Sequence, residues 1–68
     1  MIVATVKWYG EDGTGYLIIE GITESIFFDR SIVAGGYEPE RGDKVLCGLQ
    51  QILGRIVAAD VRPLRVGG

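Results

Sequence analysis

Two short β-type runs carry the side chains best suited to recognition, Thr14-Gly15-Tyr16-Leu17-Ile18-Ile19 and Ile26-Phe27-Phe28. Successive side chains of a strand point to opposite faces. If Leu17, Ile19, Ile26 and Phe28 face a core, Tyr16, Ile18 and Phe27 face outward, where a half-buried strand ordinarily carries polar residues. Outward aromatic rings are stacking surface, and nucleobases are among the planar groups that stack on them. The competing reading is a plain cross-strand aromatic pair that supports the sheet, since neighbours on adjacent strands approach to about 5 Å.

Other chemistry is sparse. Asp29 with Asp12 or Glu11 would be the candidate carboxylate pair, but no nucleophile, histidine or ligand set accompanies them. No catalytic residue is assigned and an enzyme is not expected. One cysteine and no histidine exclude an internal disulfide and a Cys/His metal cluster, and no cofactor is expected. Cys47 shares parity with Val45 and Leu49 and reads as a small core residue. Gly10, Gly13 and Gly15 do not make a phosphate loop, because no helix follows them.

The elements that must position these residues are strands. Ile2 to Tyr9 is rich in β-branched residues and reads as the first, and the turn cluster Gly10-Glu11-Asp12-Gly13 leads into a second at Thr14 to Glu20. Gly21 to Glu24 turns into a third at Ser25 to Asp29, so an antiparallel meander is expected. Arg30 to Ala34 has room for a single 3₁₀ turn. The polar loop Gly35 to Gly42 separates two halves. Asp43 to about Gln51 and Arg55 to Arg62 read as strands four and five around a turn at Ile52-Leu53-Gly54. No helix-period segment is long enough to matter. Five short strands and no repeat predict an all-β, small five-stranded antiparallel barrel of the OB-fold kind, since closure removes exposed edges.

Composition narrows the class. The 68 residues are 47% hydrophobic, which predicts one packed domain. Apolar runs of about five residues are far short of a membrane span, and no signal-peptide pattern is visible, so a cytoplasmic location is expected. The formal net charge of −2 and pI near 4.9 argue against phosphate-driven nucleic-acid binding. They leave room for binding through base stacking.

Taken together, Val6-Lys7-Trp8-Tyr9, Gly15-Tyr16-Leu17-Ile18, Ile26-Phe27-Phe28, Gly36-Tyr37, Gly42-Asp43-Lys44-Val45 and Ala58-Ala59-Asp60-Val61 resemble the cold-shock proteins over about residues 2 to 64. The family usually has Val-Lys-Trp-Phe at the first of these and Ala-Ala-Asn-Val at the last. The resemblance implies a cold-shock-like OB-fold domain over 1–64, followed by a frayed tail at 65–68. It also implies binding of single-stranded RNA or DNA on two ribonucleoprotein-type motifs in strands two and three. Lys7, Trp8, Tyr16, Phe27 and Tyr37 stand at matching positions. The usual Lys-Gly-Phe-Gly-Phe-Ile is here Asp12-Gly13-Thr14-Gly15-Tyr16-Leu17, and the usual Val-Phe-Val-His-Phe is Ile26-Phe27-Phe28-Asp29-Arg30. Thr14 and Arg30 thus replace stacking aromatics, and Asp12 and Asp29 replace a lysine and a histidine.

The expected nucleic-acid-binding residues are therefore Lys7, Trp8, Tyr16, Phe27, Arg30 and Tyr37, each with a plainer role open to it. Trp8 shares parity with Val6, so a place on the binding face requires a bulge or strong twist near Lys7. Tyr37 could simply cover a barrel end. Arg30 could stack or meet phosphate, or form an ion pair with Asp29 or Glu11. Lys7 contacts phosphate if Trp8 stacks and is a solvated side chain if not. The expected function is weak binding of single-stranded nucleic acid with low sequence specificity, as an RNA chaperone or regulator. The alternative is a barrel whose exposed apolar face serves protein–protein or self-association. A monomer is expected, with exchange of halves across the Gly35–Gly42 loop as the route to a dimer.

Overall fold

The computed structural model describes residues 1–64, and the tail expected at 65–68 lies outside the described residues. Five strands and one 3₁₀ turn follow in the order β1 (Ile2–Tyr9), β2 (Thr14–Ile18), β3 (Ile26–Asp29), the turn (Arg30–Ile32), β4 (Lys44–Ile52) and β5 (Arg55–Pro63). They form a closed barrel in the order β1-β2-β3-β5-β4. The expected five-stranded all-β barrel is present, with one difference in strand sense. All neighbours are antiparallel except β3 and β5, which run parallel at Phe27 and Val57. The reason is arithmetic: strict up–down alternation cannot close around an odd number of strands. The Gly35–Gly42 loop carries the chain across to the free edge of β1, where β4 pairs antiparallel. Its hairpin partner β5 then returns in the direction of β3.

The core is apolar and follows the parity of the sequence. Ala4 and Val6 from β1, Leu17 from β2, Ile26 and Phe28 from β3, Val45 and Cys47 from β4, and Ala58 and Val61 from β5 are buried, with Ile19 just beyond β2. Burial raises the Cys47 thiol pKa, and nearby Asp60 adds to that, which keeps it a neutral core group. No buried side-chain polar atom among the described residues lacks a hydrogen-bond partner.

Two turns set the geometry at the ends of the strands. Gly10 N–H donates to the Thr14 carbonyl at 2.9 Å and Gly13 N–H to the Gly10 carbonyl at 3.0 Å, with Gly13 at φ 86°. The β4–β5 hairpin turns on Leu53 at φ 51° and Gly54 at φ 80°, the two positive values of a type I′ turn. Glycine suits that conformation. Leucine pays a steric penalty on the order of 1 kcal/mol there, and Leu53 is 99% exposed.

Candidate nucleic-acid interface

Strand register places Trp8, Tyr16 and Phe27 in one row. Trp8 pairs with Tyr16, Tyr16 with Phe27 and Phe27 with Val57. Their exposures are 49%, 41% and 37%. Trp8 reaches this face because β1 slips between Val6 and Trp8: Val6 opposes Leu17, Trp8 opposes Tyr16, and Lys7 is the extra residue of a bulge. Of the bulge or strong twist that the sequence reading required near Lys7, the register shows a bulge. It lets Val6 point inward, Trp8 outward and Tyr9 inward again.

Glycines shape the row from below. A Cβ at Gly10 would stand 2.5 Å from Trp8 Cη2, so the indole lies over the end of β1 only because Gly10 has no side chain. Tyr16 and Phe27 meet edge to face, with ring centroids 5.8 Å apart and planes at 70°. That arrangement leaves ring surface of both toward solvent. Ile18 is exposed on the outward parity of β2. Lys7 sits in the bulge, and its Nζ donates to Ser25 Oγ at 3.2 Å.

Arg30 and Tyr37 are placed differently. Arg30 pairs with neither Asp29 nor Glu11; its Nε donates to the Tyr9 hydroxyl at 3.1 Å. That hydrogen bond, and then the nearby Glu38 carboxylate, favour the charged guanidinium and raise its pKa. It lines a small cleft with Tyr9, Gly10, Glu11 and Glu38 at the margin of the aromatic row. Tyr37 is half-buried against the core, and its hydroxyl donates to Asp43 Oδ2 at 2.7 Å. Burial, with Asp43 alongside, raises its pKa. Ring and hydroxyl are both engaged inside the loop, as a residue that seals a barrel end would be.

The two carboxylates are local turn-formers. Asp12 Oδ1 accepts from Thr14 N at 3.0 Å and Thr14 Oγ1 at 2.7 Å, which lowers its pKa. Asp29 Oδ1 accepts from Ser31 N at 2.8 Å and from the Ser31 hydroxyl, capping the 3₁₀ turn. No cluster of three or more potential metal ligands occurs among the described residues. Among them no helix is long and apolar enough to cross a membrane.

Sequence reasoning missed one wall of the site. The far end of the β4–β5 hairpin, with Gln50, Ile52, Arg55 and Ile56, flanks Phe27 and encloses an open groove of about 1000 Å³ with Tyr16 and Asp29 on its other side. Ile52 and Ile56 are exposed. The available signal was the uncharged run from Val45 to Gly54, too apolar for the solvent side of a hairpin. No protein-family model matches the chain, and no curated protein does either.

Proposed function

We propose that the chain binds single-stranded RNA or DNA in the cytoplasm by stacking unpaired bases on Trp8, Tyr16 and Phe27, as a divergent relative of the cold-shock proteins. The observation that carries this reading is the row itself: three aromatic side chains in register on adjacent strands, each more than a third exposed. Stacking contributes on the order of 1–3 kcal/mol per base, so three platforms give roughly 3–9 kcal/mol before the cost of ordering the strand. The net corresponds to about micromolar affinity or weaker. Binding only unpaired bases favours melted over paired RNA by mass action, which is what a nucleic-acid chaperone does. Lys7 supplies a phosphate contact at the bulge, Arg30 and Arg55 supply charge at the margins, and Asp12 and Asp29 oppose it. The salt dependence is accordingly shallow, equivalent to roughly one to three phosphates.

The apolar hairpin end supports a second reading. Ile52, Leu53 and Ile56 are exposed together beside Phe27, an arrangement suited to protein contact or self-association. One titration separates the two. Trp8 fluorescence is followed at low salt as a short pyrimidine oligonucleotide is added, with the mass in solution measured across protein concentration. Stacking predicts quenching that weakens in Tyr16→Ala and Phe27→Ala. Unchanged fluorescence at high micromolar oligonucleotide, with a mass that grows with concentration, overturns the nucleic-acid reading in favour of association.

A further inference from the structure

Phe27 and Asp29 lie two residues apart on β3 and so on the same face, about 7 Å apart along the strand. Both line the groove beneath the hairpin. The two oxygens of Asp29 are not equivalent. Oδ1 is held by Ser31 N at 2.8 Å and by the Ser31 hydroxyl, while no protein donor bonds Oδ2 among the described residues. Anchoring one oxygen orients the other, so the groove carries one acceptor in a set position beside an aromatic platform. The half-width of a pyrimidine with its exocyclic group, plus a hydrogen bond of about 2.9 Å, is comparable with the roughly 7 Å between the two residues along the strand.

The donors a base can offer there differ in kind. Cytosine, adenine and guanine carry an exocyclic amino group, whereas uracil and thymine show a carbonyl at the corresponding edge. A single carboxylate oxygen accepts freely from an amino group at the rim of the base, whereas the N3–H of uracil and thymine lies between two carbonyls that repel an approaching anion, so the amino-bearing bases are favoured. We infer that Asp29 reads the edge of the base stacked on Phe27 and selects amino-bearing bases against uracil and thymine; this rests on the stacking function proposed above. The barrel then has a base preference located at one position of the bound strand, on a face otherwise indifferent to sequence.

The test compares two DNA hexamers, oligo-deoxycytidine and oligo-deoxyuridine, which share backbone and ring size and differ in the groups at ring positions 3 and 4. Trp8 fluorescence gives the Kd of each at low salt. The wild-type chain is expected to bind the cytidine hexamer about five-fold more tightly, the effect of one charge-assisted hydrogen bond at a solvent-accessible site. In Asp29→Asn, Oδ1 keeps its bonds to Ser31 and an amide N–H replaces Oδ2, presenting a donor to the uracil carbonyl. The ratio then falls to one or inverts, whatever the neutralised charge does to both affinities together. Equal wild-type affinities, or a ratio unchanged by Asp29→Asn, overturn the inference and leave the stacking function standing. Failure of both hexamers to bind overturns the two together.

Discussion

Two rows of side chains cross strands β1, β2 and β3 one residue apart in register, and they face opposite ways. The inward row is Tyr9, Gly15 and Phe28; the outward row is Trp8, Tyr16 and Phe27. Each contains an aromatic pair with almost the same centroid separation. Tyr9 and Phe28 stack at 5.6 Å with planes 5° apart, and Tyr16 and Phe27 meet edge to face at 5.8 Å. The difference lies at the middle position. Inward, Gly15 leaves the space across which Tyr9 reaches Phe28, the arrangement in which an aromatic ring covers a strand glycine. Outward, Tyr16 fills the middle position, and Trp8, Tyr16 and Phe27 all stay open to solvent. The same three strands thus place one aromatic set inside the barrel and another on its solvent face.

The sharpest way to break that contrast is to truncate the adjacent phenylalanines of β3 one at a time. Phe28→Ala removes a ring that is 1% exposed and should cost about 3–5 kcal/mol, a large share of the stability of a domain this small. Phe27→Ala should cost under about 1 kcal/mol of stability. Its effect appears in oligonucleotide binding, at about 1–3 kcal/mol for the lost platform. Urea unfolding midpoints and Trp8 titrations measure the two quantities. Similar losses of stability in both variants would mean that the rows do not divide structure from binding.

Gly15→Ala tests the point at which the rows are coupled. The new Cβ would stand 2.5 Å from the Trp8 carbonyl oxygen and 2.7 Å from Phe28 Cε1, so both backbone and core ring must move. Overpacking of this kind costs about 1–3 kcal/mol. Gly35→Ala, where a Cβ meets nothing within 4 Å, is the control and should unfold at nearly the wild-type urea concentration. If Gly15→Ala unfolds there too, the inward row is not as tight as its distances say.

How much of this was legible beforehand depends on the range of the interaction. The alternation in Leu17 to Ile19 and Ile26 to Phe28 is local, so it alone places Tyr16 and Phe27 outward. The Lys7 bulge followed from requiring Trp8 to share their face, and the register has it. Longer-range features were not readable. Nothing in Ile26-Phe27-Phe28 says that its second neighbour is β5, or that this pairing is parallel, because strand sense follows from closing an odd-numbered barrel. The groove wall was missed for the same reason: Ile52 and Ile56 gain meaning only once the hairpin lies beside Phe27. Arg30 and Tyr37 had two readings each, and single residues cannot choose between them. The structure gives Arg30 a partner that neither reading named, the Tyr9 hydroxyl, and ties the Tyr37 hydroxyl to Asp43.

The smallest expected effect concerns the turn that holds both rows in register. Thr14 N–H and its hydroxyl donate to Asp12 Oδ1 and hold the Asp12 carboxyl below its ordinary value of 3.8. A carboxyl with a lowered folded-state pKa contributes stability that is fully present above the unfolded value. That contribution is lost as pH falls through the folded one. Asp12→Asn keeps an oxygen for Thr14 and removes only this proton-linked part. The variant should therefore melt slightly below the wild type at neutral pH, and the gap should close as the pH drops below 3.8. The side chain is fully exposed, so the gap is small. Thermal melts report the inward row, and the Trp8 emission maximum, read on the folded protein in the same samples, reports the outward one. The expected result is a shift in melting temperature with no change in emission, because Asp12→Asn keeps the acceptor oxygen and so the turn, and with it the Gly10 backbone on which the Trp8 ring rests. A parallel change in both would show that Asp12 also holds Trp8 in place, and that the outward row is less independent of the core than its exposure implies.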